Sequence, residues 1–347
     1  MGLQNFLTLL HSYILDPSRF PTALFALLLV GAVGMVTGAM HGNANPFYWK
    51  VVNGLFGGLG ERLDRVERSE RDLLTRGLML TLMVAVFSVS IGRLAQKGVA
   101  AFPFYGVTEI ILLSLTLTAG TVWFALLRLY FAMRDNKVTK GAYYAIAFST
   151  RTDLSSSDDF GITRAGMAFA ARSFDKGLVA PVLWYLIGGL PAAFLYAGLV
   201  AVVWRFGRDG LTKGIGGVGL ALENLMGFVP SMMAGFLMAA AGLPTPTSGM
   251  TRAFMGLMDK KGAAPYAQGG LPLTALTHAL HVTLGGHVTD LDGRVLKRDW
   301  IGPKDATARL DKAHLRRALY MHFIAWMILM ASLGGGMMWG RVIKLPL

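Results

Sequence analysis

The chain has 347 residues, of which 54% are hydrophobic and only 15% charged, with a formal net charge of +13 at pH 7. Soluble globular proteins carry about a quarter charged residues, so this composition points to an all-α, polytopic membrane protein of about six spans joined by polar cytoplasmic loops. The apolar content excludes a disordered or fibrous chain, and the absence of cysteine excludes a disulfide scaffold, thiolate metal sites and cysteine nucleophiles.

Residues 1–20 have no basic residue before Arg19 and no small-residue cleavage site. They read as an interfacial amphipathic segment, not as a cleaved secretory signal. The expected spans are the weakly charged stretches at about 21–40, 77–92, 108–127, 178–204, 225–242 and 318–340, in a single domain over 1–347. The fourth contains Gly188, Gly189, Leu190 and Pro191 at its centre, a helix-breaking run. One kinked crossing or a re-entrant pair of short helices both fit it, and the single crossing is the expectation.

Segments 41–76, 128–177 and 243–317 hold 25 of the 33 Lys and Arg residues. That alternation is what the positive-inside rule expects of six crossings with both termini outside the cytoplasm. The same segments carry 16 interspersed acids, so the basic excess reflects topology and affinity for anionic lipids, with no nucleic-acid partner. The expected location is the bacterial cytoplasmic (inner) membrane, multi-pass and surrounded by membrane lipids.

Residues 55–76 read as an amphipathic helix with pairs Glu61–Arg65, Asp64–Arg68, Glu67–Arg71 and Asp72–Arg76. The stretch 134–177 gathers Arg151, Asp153, Ser155, Asp158, Asp159, Arg164, Arg172, Asp175 and Lys176. Such a mixture suits a phosphate or Mg²⁺; it equally suits a polar loop capping a helix that starts near Phe160, with Asp158 or Asp159 as N-cap. Gly214, Gly216 and Gly219 match G-x-G-x-x-G without a preceding strand, so close helix packing explains them better than a dinucleotide; Gly34 and Gly38 are read the same way. His278 and His281, followed by His287, Asp290 and Asp292, offer metal-ligand types at i,i+3 but no H-E-x-x-H pattern. Glu109, Glu223 and His322 lie in or beside spans, where ionisable groups are functional suspects.

Over 151–235 the order of features resembles the CobD/CbiB family of cobalamin biosynthesis. Gly177, Pro181, Trp184, Tyr185, Gly188, Gly189, Pro191 and Tyr196 follow that family's "DGVVAPLFWYALGGLPGALLY". Ile162, Arg164 and Ala165 match its "EIxRA", with Arg151, Asp153 and Ser155 near its Arg-Asp-Thr-Ser stretch, and Phe228 to Pro230 match its "WIP". Gln268 to Pro272 and Ala279 to Gly286 resemble "NAGWP…ALGVRLGG", while Asn45-Pro46 and Glu61-Arg62 stand where the family has His-Pro and Glu-Arg.

The resemblance implies ATP-dependent amide formation between an aminopropanol (or ethanolamine) phosphate and a carboxylate of adenosylcobyric acid. ATP and Mg²⁺ would be the cofactors and a corrinoid the substrate. Asp153, Asp158, Asp175 and Glu223 would then hold Mg²⁺, and Arg151 and Arg164 would contact phosphate. Several of the family's polar positions depart, however. Its Glu-Asn is Arg172-Ser173, its next Asp is Lys176, its "NTLDSM" falls on Val200 to Arg205, and its paired aspartates are Glu223-Asn224. Its next arginine is Met232, its "HPSPNAG" is reduced to Ala264 through Gly270, and the glutamate after its Trp-Pro is Leu273. The second reading is therefore a non-catalytic relative that keeps the scaffold, an accessory subunit with a membrane-protein partner or a sensor of the AmpE type. A transporter is a weaker third, since no inverted repeat shows.

Overall fold

The computed structural model describes residues 16–343 apart from 66–67, 103, 139–140, 208–213, 245–248, 260–261, 292 and 294. Most of the expected interfacial segment, Glu67 and Asp292 lie outside the described residues. The helices are α1 (Arg19–Thr37), α2 (Phe47–Leu63), α3 (Glu70–Ala101), α4 (Val107–Ser114), α5 (Gly120–Arg134), α6 (Tyr144–Thr150), α7 (Asp159–Phe174), α8 (Ala180–Phe206), α9 (Gly217–Ala240), α10 (Met250–Met258), α11 (Gly270–Leu280) and α12 (Lys312–Ile343). Strands β1 (Thr152–Asp153), β2 (Leu284–Asp290) and β3 (Val295–Ile301) form a small antiparallel sheet in the order β1-β2-β3.

The architecture is the expected all-α polytopic one. Among the described residues, 5 helical runs are long and apolar enough to cross a membrane: Arg19–Thr37, Glu70–Ala101, Asp159–Phe206, Gly217–Ala240 and Lys312–Met338. The expected third span, 108–127, is not a continuous helix. It divides into α4 and α5 around residues 115–119, whose freed backbone groups are bonded internally, as irregular backbone at membrane depth requires. The Tyr48 amide donates to the Leu115 carbonyl and the Thr118 amide to the Gly177 carbonyl, each at 2.9 Å. The hydroxyls of Thr118 and Thr121 both donate to the Ala44 carbonyl, at 2.7 and 2.9 Å.

The fourth span also departs from the expected single crossing. Asp158 caps α7, its Oδ1 accepting the Gly161 amide at 2.7 Å, as the sequence suggested. The helix then runs on through a π turn at Asp175–Val179 into α8. At Gly189 (φ 65°, ψ −159°) it breaks, a backbone conformation open essentially to glycine alone. Arg172 before the break and Val203, Trp204, Arg205 and Gly207 after it line the same crevice. In a straight helix those residues would stand about 45 Å apart, so the chain reverses at Gly189 and descends as a second arm. The Arg19 guanidinium holds the end of the first arm, donating to the carbonyls of Leu186 and Ile187 at 3.0 Å each.

The second arm packs along α3. A Cβ at Gly92 would run into the backbone of Pro191, and one at Gly198 into Ser88 and Val84, so small residues set the approach of the two helices. The Tyr48 hydroxyl bonds Ser88 at 2.9 Å in the same seam, and its ring meets Phe194 edge-on. The start of α1 and the late part of α12 lie together, since Gly336 abuts the Phe20 ring. Both ends of the described chain are therefore on one side of the bundle.

The expected helix over 55–76 is interrupted between Leu63 and Glu70. Of its i,i+4 pairs, Asp72–Arg76 forms as read, at 2.9 Å. Glu61 instead pairs with Arg205 at the foot of the second arm, because the tertiary partner is nearer than the helical one.

The hairpin makes a direct prediction. Gly189→Ala should destabilise the detergent-solubilised protein by about 1–3 kcal/mol through its forbidden backbone geometry. Gly98→Ala, in α3 with open space around its Cα, should leave the thermal midpoint equal or higher.

Candidate functional site

The π turn inserts one extra residue per turn into the first arm and aims both Asp175 and Lys176 into the bundle. Lys176 Nζ lies 2.5 Å from Glu223 Oε1 of α9, with the two side chains 1% and 0% exposed. The ammonium also sits 4.3 Å from the ring centroid of Tyr266, as a cation–π contact. The Tyr266 hydroxyl is 3.2 Å from both Glu223 Oε1 and the Glu223 carbonyl, donating to these acceptors. Asp175 is equally buried, and among the described residues neither of its carboxylate oxygens nor Glu223 Oε2 has a hydrogen-bond partner. Ser231 and Tyr196 complete the cluster. It thus joins Glu223, expected in or beside a span, to Asp175 and Lys176, both expected in a cytoplasmic loop.

A second polar site lies at the N-terminal end of α7, beside the sheet. Here a cavity of about 380 Å³ is lined by Asp158, Arg164, Gln268, His287 and Arg298 over an apolar floor that includes Leu154 and Leu273. Arg164 is well held: it donates to the Ala308 carbonyl at 2.8 Å and stacks 5.6 Å from the Trp300 ring centroid, with Asp158 Oδ1 at 4.0 Å. Among the described residues the lining carries two guanidiniums and one carboxylate, groups of the kind that bind a small anion.

The remaining candidates lie elsewhere. Arg151 adopts φ 54° at the end of α6 and joins Arg172, Arg205 and Asp290 around a narrow crevice over Trp204. Asp153, in β1 opposite Thr289, is half-buried. Its carboxyl is held below the usual range by hydrogen bonds from the side chain and backbone of Ser155. His278 and His281 do not share a helical face, because His281 is the left-handed residue that ends α11 and turns to Asp305 at 3.3 Å. His322 is buried at 3% exposure against Phe174.

The expected Mg²⁺–ATP does not fit these residues. Mg²⁺ takes near-octahedral oxygen donors and keeps several waters, whereas Asp175 and Glu223 are closed from water with the Lys176 ammonium among them. Asp153 stays in β1 and Asp158 at the exposed start of α7. Among the described residues no group of three His, Asp or Glu side chains comes together to hold a metal ion. The positions that correspond to the family's Asn-Thr-Leu-Asp, Val200 to Val203, are packed core.

Tyr266 and Arg298 are site members that the sequence does not single out, while Lys176 and His287, which it places in a polar loop and beside a histidine pair, stand in two different sites. Lys176 carried a usable signal, a lysine directly after Asp175 and before an uncharged run of more than twenty residues. Removing the ammonium alone, in Lys176→Met, should cost about 3–5 kcal/mol, since it leaves an uncompensated buried carboxylate. Adding Glu223→Gln should recover most of that loss, as read by thermal unfolding in detergent.

Comparison with known proteins agrees with this architecture. The family model described as CobD/Cbib protein matches residues 23–322. Proteins named "Cobalamin biosynthesis protein CobD" are similar: that of Rhodobacter capsulatus is 27% identical over 194 residues, 56% of this chain and 60% of the relative. Those of Brucella melitensis and Clostridium tetani are 25% and 24% identical, covering 59% and 56% of this chain and 64% and 62% of theirs. The chain thus spans about three-fifths of the length of the curated relatives it matches. No solved structure matches it. The chain belongs to the CobD/CbiB family.

Proposed function

We propose that this chain serves corrinoid metabolism as a non-ligating member of its family, an accessory subunit or sensor that keeps the membrane scaffold. The observation that carries this reading is the Lys176–Glu223 pair. Amide ligation through an acyl phosphate needs carboxylates and a metal arranged around exposed phosphoryl groups. Here the two carboxylates are buried, Glu223 being paired with a resident lysine, and Val200 to Val203 bring no polar side chain. The Arg164–Arg298 cavity supplies a role that such a protein retains, binding a small phosphorylated metabolite without transforming it.

The same cavity supports the ligase as a second reading. An aminopropanol phosphate would rest on Arg164 and Arg298, with ATP and Mg²⁺ recruited from the solvent side. In either case the setting is a multi-pass protein of the bacterial cytoplasmic membrane, with the basic segments on the cytoplasmic face.

Expression in a bacterium lacking its own synthase, under growth that depends on cobalamin made from cobyric acid, separates the two. The non-ligating reading expects no rescue from protein confirmed in the membrane, and a membrane-protein partner on affinity purification. Rescue that disappears in Arg164→Ala at unchanged protein level would establish the ligase instead.

A further inference from the structure

A cavity of about 400 Å³ opens beside the break in the third span, between α1, the start of α2 and residues 114–121. One wall follows α1 from Leu29 through Val33 to Thr37, a rise of about 12 Å along the helix. That distance runs from the middle of a membrane-length helix to its end. The rim is apolar and open, with Val33 46%, Phe47 50% and Met40 54% exposed.

The polar groups are unevenly placed. Lys50 and Asn43 lie with Met40 beyond the Thr37 end of α1, where the chain leaves the span. Among the described residues, Lys50 is the one ionisable side chain of the cavity lining, and no carboxylate lines it. Its ammonium donates to the Met40 carbonyl at 2.8 Å, one of three donors that an ammonium has. The segment entered at this end, 41–76, carries six of the chain's Lys and Arg residues.

We propose that this groove is a binding site for an anionic phospholipid, its acyl chain along Leu29 to Val33 and its phosphate on Lys50. An apolar slot that reaches mid-membrane and ends in a lone cation is complementary to a molecule with a long hydrocarbon tail and one negative head. A soluble phosphate compound would leave the apolar wall empty, and a zwitterionic lipid would bring its own cation to Lys50. The site is separate from the Lys176 cluster and from the Arg164 cavity, so it stands whatever reaction the protein supports.

The test uses the full-length purified protein in detergent with dioleoyl phosphatidylglycerol and dioleoyl phosphatidylcholine in competition, read by native mass spectrometry. One lysine at a lipid surface corresponds to about fivefold in affinity. The parent should therefore retain phosphatidylglycerol about fivefold over phosphatidylcholine. Lys50→Met should abolish that preference, Lys50→Arg should keep it, and Lys97→Met, at an exposed lysine on α3, should not change it. Val33→Trp, which fills the groove, should reduce retention of both lipids. Equal preference in the parent and Lys50→Met would overturn the proposal. So would displacement of the bound lipid by inorganic phosphate, which would make this an ion site only.

Discussion

A lysine buried inside a membrane bundle is tolerable only if its charge is met, and in this protein the arrangement of three segments follows from meeting it. Lys176 stands at the π turn of the first hairpin arm, Glu223 on α9 faces it, and Tyr266 closes over both. Each ion alone would carry a desolvation cost of several kcal/mol. Together they bind α7, α9 and the turn before α11 into one unit. Asp175 adds a second buried acid beside them, so the cluster holds two carboxylates against one lysine. The nearby Arg172 is part of the same electrostatic surroundings.

Around that unit the Gly and Pro landmarks shared with the family acquire a physical meaning. Gly189 permits the reversal, Pro191 starts the descending arm against Gly92, and Gly177 offers its carbonyl to the Thr118 amide in the broken third span. These contacts depend on backbone shape and small volume, and they survive the replacement of polar side chains. A scaffold of this kind is free to lose its chemistry while keeping its fold, because the groups that fold it and the groups that would react are different residues.

Much of this was legible in the sequence, and the limits have a common cause. The apolar runs marked α1, α3, α9 and α12 because hydropathy is a local property. The cap at Asp158 was legible for the same reason. The helix break at Gly188 to Pro191 was visible too, but whether the chain continued or turned back depended on Gly92, a residue far away in sequence. Lys176 was read as loop because a charge in isolation argues for water; its acid lies on another helix. The third span looked continuous because Leu115 to Ala119 are largely apolar, while the acceptors and donors that hold them non-helical belong to Ala44, Tyr48 and Gly177. The Arg164 cavity needed the sheet, whose first strand precedes the second by more than 130 residues.

The hairpin also bears on how the chain enters the bilayer. Its first arm contains Arg164, Arg172, Asp175 and Lys176, and each such charge near a helix centre opposes translocon insertion by about 2.5–3.5 kcal/mol. Such a segment does not partition into lipid unaided. The strongly apolar second arm follows at once and can draw its polar neighbour in as a pair. The neutralising glutamate is synthesised only forty-seven residues after the lysine. Until α9 emerges, the nascent hairpin holds the ammonium with only Asp175 of its own arm beside it, so the Lys176–Glu223 pair forms no earlier than the docking of α9.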